Sequence, residues 1–146
     1  MKKTLSILLI SVLMAFTIRF IFLLPPDLKT RQKLNLIKGE LSKAGYCNRW
    51  LVISGLRYKW YNRILSNSSE KSFHVKGKAI DILVFDLNGD WKFTNEDIKI
   101  LQSANMQVEA THPDLIGAFG TYTSKSCLTG HMVHLDTRGY SVKFNH

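Results

Sequence analysis

The chain reads as an α+β protein: one small domain with a short, mainly antiparallel sheet flanked by helices, after an N-terminal apolar helix. Three observations predict this. The 146 residues leave room for a single domain. Helical periodicity is confined to a few stretches, while the other apolar runs are short enough for strands. The first 24 residues are set apart from the rest by an apolar run that stops at Pro25-Pro26. In chain order, residues 29–43 carry Leu34, Ile37 and Leu41 at spacings of three and four, an amphipathic helix ending before Gly45. Residues 50–54 form a short apolar strand running to Arg57, 60–65 a helix, and 66–71 a polar loop. Residues 79–85 make the central strand, with Asp81 inside it. Residues 97–106 form a helix with Ile98, Ile100 and Leu101 inward. Two short strands follow, 119–122 and 132–136, separated by the polar loop 123–129. Few helices and mostly short strands suit an α+β layer arrangement.

Lys2 and Lys3 precede the apolar run 4–24, whose 21 residues are enough to span a hydrocarbon core at about 1.5 Å each. Its one charge is Arg19. Fourteen Leu, Ile, Val or Phe side chains contribute about −6 kcal/mol against about +3 for the arginine, so insertion wins. Arg19 is also close enough to the end to snorkel. Residues 1–26 therefore read as a signal anchor, with a cleaved signal peptide as the alternative. Residues 27–146 are the folded domain.

The net charge of +9 falls to +6 without Lys2, Lys3 and Arg19. The basic residues are scattered and carry no nucleic-acid motif, so nucleic acid is not an expected partner. Attraction to an anionic membrane surface or cell-wall polymer accounts for the charge. Cys47 and Cys127 are the only cysteines. They form one disulfide in an exported protein or remain two free thiols, and neither has metal-site spacing.

The chemistry concentrates in two stretches. Ser72-Phe73-His74-Val75-Lys76-Gly77-Lys78-Ala79-Ile80-Asp81 sets an imidazole and a carboxylate seven positions apart, around a small-residue turn. His134 follows 53 residues after Asp81, in Gly130-His131-Met132-Val133-His134-Leu135-Asp136. Two histidines and an aspartate make a three-ligand set that leaves one position of a catalytic zinc open.

These residues resemble the zinc D-Ala-D-Ala carboxypeptidase family, which includes the vancomycin-resistance dipeptidases, phage L-alanyl-D-glutamate endolysins and the hedgehog signalling domain. The family pattern S-x-H-x-x-G-x-A-x-D is matched at Ser72, His74, Gly77, Ala79 and Asp81. A second element, S-G-x-R followed by an asparagine, stands at Ser54-Gly55-Leu56-Arg57 with Asn62. A third is Gly117-Ala118-Phe119-Gly120-Thr121-Tyr122 ahead of Val133-His134-Leu135-Asp136-Thr137-Arg138. The blocks occur in family order over roughly residues 32–138.

The resemblance implies zinc on His74, Asp81 and His134, with Arg57 holding a substrate carbonyl or carboxylate and Ser72 beside the substrate. It implies hydrolysis of an amide bond in peptidoglycan stem peptides, of carboxypeptidase or endopeptidase type. The alternative is a non-catalytic zinc module that binds a cell-wall peptide or a protein partner, as the hedgehog domain does. Many members place an acidic base three residues before the last ligand; here that residue is His131. An imidazole can take up a proton near neutrality, and His131 faces the metal only if the chain bends there. Asp136, two residues past His134, shares its strand face and either orients the ligand imidazole or serves as the base. Lys29, Arg31, Lys33 and Lys38 outnumber Lys2 and Lys3 and oppose export. The signal-like start and the wall-directed resemblance favour it, placing the domain outside the membrane, anchored or secreted.

A second cation candidate is Asp86-Leu87-Asn88-Gly89-Asp90-Trp91-Lys92-Phe93-Thr94-Asn95-Glu96-Asp97, which resembles the calcium loop of EF-hand and dockerin modules. Asp86, Asn88, Asp90 and Asp97 offer side-chain oxygens and Lys92 its carbonyl. Trp91 replaces the usual glycine, and Asp97 the usual glutamate. A tight turn at Asn88-Gly89 and a helix capping box of Thr94 with Asp97 explain most of these residues without an ion.

Overall fold

A computed structural model of the chain describes Ser11 and residues 24–64, 71–122 and 131–145. Most of the apolar run 4–24, the greater part of both predicted polar loops, Cys127 and His146 lie outside the described residues. Among the described residues no helix is long and apolar enough to cross a membrane.

Helix α1, Leu28–Lys43, begins where the Asp27 carboxylate accepts the Thr30 N–H at 2.8 Å, an N-cap that supplies one orphan donor with its acceptor. Its buried residues Leu34, Ile37 and Leu41 keep the predicted three-and-four spacing. Strand β1 is Trp50–Ser54 and helix α2 is Lys59–Ile64. Strand β2, Ala79–Val84, is followed by the loop that leads into helix α3, Asn95–Thr111. Helix α3 starts with the expected capping box of Thr94 and Asp97. It runs five residues past the expected end at Met106, because Val108 packs into the core one turn later. A short 3₁₀ turn, Pro113–Leu115, leads to β3 (Ala118–Tyr122), β4 (Met132–Asp136) and β5 (Val142–Asn145).

The five strands form one sheet in the order β1-β2-β4-β3-β5. All neighbours are antiparallel except β3 and β5, which run parallel. The class is thus α+β with a mainly antiparallel sheet, as the sequence predicts. The sequence reading has no counterpart for β5, a four-residue edge strand with half of its residues exposed.

Alternation divides the sheet into two chemistries. Ile80, Ile82 and Val84 of β2, Val133 and Leu135 of β4 and Phe119 of β3 join Leu34, Ile37, Leu41, Ile98, Leu101 and Val108 in one apolar core beneath α1 and α3. The intervening positions, including Asp81 and its register partner His134, point to the other face. A one-residue slip would exchange these sets, so the core pattern itself fixes which side carries the polar cluster.

Candidate metal centre

Three segments deliver the cluster. His74 comes from the turn 71–77, and Asp81 and His134 come from adjacent, paired positions of β2 and β4. The turn is closed by Gly77 N–H to His74 O at 3.1 Å and by Lys78 N–H to Phe73 O at 2.9 Å. Gly77 sits at φ +71°, the left-handed region that glycine enters without a Cβ penalty. The Ser72 hydroxyl accepts the His74 N–H at 3.3 Å, so this predicted substrate residue here shapes the turn.

The segment after β1 grips that turn. His74 Nδ1 lies 2.8 Å from Gly55 O, and Arg57 N–H donates to His74 O at 3.0 Å. Arg57 turns its guanidinium to the cluster: Nε donates to Ser54 Oγ at 2.7 Å and Nη2 to Asp81 Oδ2. Two separate sequence blocks therefore form one structural unit.

The acceptor atoms converge. His74 Nε2 is 3.2 Å from Asp81 Oδ1 and 3.2 Å from His134 Nδ1, and His134 Nδ1 is 2.9 Å from Asp81 Oδ1. Ligands held about 2.0–2.1 Å from a tetrahedral zinc are separated by about 3.3 Å, close to the sides of this triangle. All three residues are buried. This is the one group of three His, Cys, Asp or Glu residues with such convergence among the described residues, and it can hold a metal ion.

Outer hydrogen bonds fix the inner nitrogens. A carbonyl only accepts, so Gly55 O requires a proton on His74 Nδ1 and leaves Nε2 with a lone pair in the neutral ring. Asp136 Oδ2, 3.3 Å from His134 Nε2, does the same for His134 and leaves Nδ1 bare. Two lone pairs and a carboxylate oxygen then face one another in a buried space, an arrangement that only a cation or a bound proton relieves.

The electrostatics agree. Burial alone would raise the Asp81 carboxyl, but hydrogen bonds and charge from His134 and His74, when these rings carry the proton, hold it well below the ordinary carboxylate range. Burial alone would lower His134, but its hydrogen bonds to Asp136 and Asp81 raise it above the ordinary imidazole value. Asp136 also resists the upward push of burial, because His134, Arg138 and the Ala118 N–H all donate to it.

Of the two candidate bases, Asp136 takes the orienting role. It lies on the Nε2 side of His134, away from the triangle. Arg138 holds it with Nε at 2.8 Å and Nη2 at 2.5 Å from Oδ2, and Ala118 N–H occupies Oδ1 at 2.7 Å. His131 stands just before β4, and its carbonyl accepts Val84 N–H at 2.9 Å, one position beyond the last β2–β4 pair.

Other contributors escape the sequence reading. Phe144 of β5 lies over Gly120, where a Cβ would come within 2.0 Å of the ring, and its ring centre is 5.6 Å from that of His134. Alternation in Val142-Lys143-Phe144-Asn145 is the signal that would have found it. Arg138 packs over Phe73, 4.6 Å from the ring centre, joining the His74 turn to the end of β4.

The 86–97 loop is organised by its own backbone. Asp86 Oδ1 accepts Gly89 N–H at 2.6 Å and Asp90 N–H at 3.1 Å, and Asn88 accepts Asp90 N–H at 3.2 Å. Asp90 accepts Lys92 N–H at 2.8 Å, while Asp97 accepts Leu87 N–H and Thr94 N–H at 2.8 Å each. These bonds account for the loop's shape without a cation. Cys47 is half-buried and has no disulfide partner among the described residues; Cys127 lies outside them.

Compared with known proteins, the chain matches no family model, no curated protein and no solved structure.

Proposed function

We propose that the protein is a zinc metallopeptidase hydrolysing an amide bond in peptidoglycan stem peptides, held at the outer side of a membrane by its N-terminal segment or secreted. One observation carries the metal: His74 Nε2, Asp81 Oδ1 and His134 Nδ1 face each other at 2.9–3.2 Å with their other atoms committed elsewhere. The substrate class rests on the ordered motif resemblance. The donor set fits zinc, being two imidazoles and a carboxylate in a tetrahedral-sized triangle. A zinc ion in a three-ligand site supplies Lewis acidity and water acidified to a pKa of about 7.

The chain's own residues do the rest. Gly55 O and Asp136 keep the ligand nitrogens deprotonated. Arg57 neutralises Asp81 while remaining at the rim, 15 % exposed, where its fork suits a substrate carboxylate. Full-length protein loaded with one equivalent of zinc should release D-Ala or shortened peptides from purified muropeptides, and His74→Ala should not.

The alternative is a zinc module that binds its peptide without cleaving it. The full engagement of Asp136 favours it, since this predicted base is held by Arg138 and Ala118 on the far side of His134 from the triangle. Zinc-loaded protein that binds muropeptides and leaves them intact would select this reading.

A further inference from the structure

The end of the apolar run is tied to the metal-site end of the sheet. Leu56 N–H donates to Leu24 O at 3.0 Å, and Asp27 N–H to Gly77 O at 2.8 Å. Residues 24–27 thus lie across the two loops that carry Arg57 and His74. Immediately beyond Leu56 the chain exposes Tyr58, Trp60 and Ile64, at 48 %, 53 % and 71 %. Trp60 and Ile64 are one turn apart on α2 and share a face. Tyr58 stacks on Trp60 with ring centres 6.5 Å apart and planes 13° from parallel, extending that face. Lys59 and Arg63 form the adjoining row of the same helix. Buried Asn62 marks the opposite side.

We propose that Tyr58 and α2 form a membrane-docking surface that rests on anionic lipid headgroups, a second lipid contact beside the N-terminal segment. Aromatic rings with a polar edge settle at the water–lipid boundary, and a row of basic side chains adds attraction to anionic lipid. Continuity of the chain selects lipid as the occupant. Leu24 is the last residue of a run long enough to span a bilayer, and Tyr58 is two residues from its hydrogen-bonded partner, at most about 7 Å along the chain. A span ending at Leu24 delivers α2 into the headgroup layer. It also turns the His74–Asp81–His134 end of the sheet toward the membrane. The corollary, resting on the peptidase reading, is that the peptide cut is one carried at the membrane surface; the lipid contact itself needs no catalysis.

Trp91 provides an internal control. It is 83 % exposed and has Arg49 over its ring, so it offers the same chemistry. It follows the far end of β2, roughly 17 Å of strand from the end that carries α2. The test uses the full chain reconstituted in vesicles of equal parts phosphatidylcholine and phosphatidylglycerol, with a nitroxide quencher in the headgroup region. Trp50→Phe with Trp91→Phe leaves Trp60 as the reporter, and Trp50→Phe with Trp60→Phe leaves Trp91. Trp60 should be quenched at least three-fold more than Trp91, and Lys59→Glu with Arg63→Glu should remove most of the difference. Equal quenching, or stronger quenching of Trp91, overturns the proposal. So does Trp60 emission that ignores lipid and shifts instead with soluble glycan fragments, which would make the aromatic pair a sugar platform. Amide hydrogen exchange of the unsubstituted protein gives a second readout: α2 should slow on anionic but not on purely phosphatidylcholine vesicles, and unchanged exchange counts against docking. Muropeptide cleavage is scored separately, so either reading can fail alone.

Discussion

His134 depends on Asp136 for its tautomer, so a carboxylate outside the triangle controls how well the ring binds a cation. Asp136→Asn keeps the shape but lets an amide N–H face Nε2, which moves the ring proton to Nδ1 and into the triangle. Zinc affinity, measured by competition with a chromogenic chelator, should fall about 10- to 100-fold. His74→Ala removes a ligand and should abolish stoichiometric binding. Unchanged affinity in Asp136→Asn would mean that the carboxylate does not orient the ring. The raised pKa of His134 gives a second prediction, with opposite signs for the two forms. Metal-free protein gains stability as pH falls from that raised value to about 6.5, because the folded state takes up the proton first. Metal-loaded protein loses affinity over the same window, because the proton competes for Nδ1. Asp81 and Asp136, held below the ordinary carboxylate range, stay charged throughout and add no slope there. The zinc-induced rise in Tm should therefore shrink as pH falls through the raised His134 value toward 6.5. A rise independent of pH would show that His134 is not a ligand.

At the scale of elements, the helical layer is bolted to the site strands by Lys33. Its ammonium crosses from α1 to Glu109 of α3 at 2.7 Å and to the Asp136 carbonyl at 2.9 Å, with the side chain 1 % exposed. Burial lowers its pKa against the pull of Glu109. Lys33→Met leaves the Glu109 carboxylate 13 % exposed and without this partner, which should cost about 3–5 kcal/mol in urea denaturation. Lys33→Met with Glu109→Gln should recover part of it. A second contact joins β5 to β3: Gly120→Ala drives a methyl into Phe144 and should cost about 1–3 kcal/mol, with Phe144→Ala largely suppressing the added effect in a double-mutant cycle. These contacts mark the limit of sequence reading. Strands β1 to β4 were legible as short apolar runs too brief for helices, and α1 because Leu34, Ile37 and Leu41 recur at three and four. The convergence of His74, Asp81 and His134 was legible because their motif places them around a turn and on strands. Lys33 was not, since a lysine on a helix reads as a solvated charge until a carboxylate from another helix covers it. Phe144 was not, because the alternation of a four-residue edge strand marks a strand but not the neighbour across which its ring lies. The role of Asp136 needed the position of Arg138, which spacing alone does not give.

At the scale of the whole molecule, the three candidate ligands belong to segments that are distant in sequence but adjacent in the fold. His74 and His134 are 60 residues apart, and their approach requires β2 and β4 to be paired in one register. The unfolded chain offers no such site, so binding free energy is returned as folding stability. Zinc present at about 1,000 times its Kd should stabilise the domain by about 4 kcal/mol. For a folded part of about 120 residues this corresponds to a rise in Tm of about 15 °C. Chelation should reverse it, and the His74→Ala variant should show neither change. The transition should move as one unit, because the apolar core joins α1, α3 and the central strands in a single cluster on the reverse face of the same sheet. Zinc that protected only the His74 turn from amide exchange, leaving β2 and β4 unaffected, would place the metal elsewhere. The calcium-like loop is a different one, where backbone N–H groups already engage Asp86, Asp90 and Asp97. The effect of calcium on Tm, if the loop binds it, should persist in His74→Ala, so the two ions are separable in one set of melts.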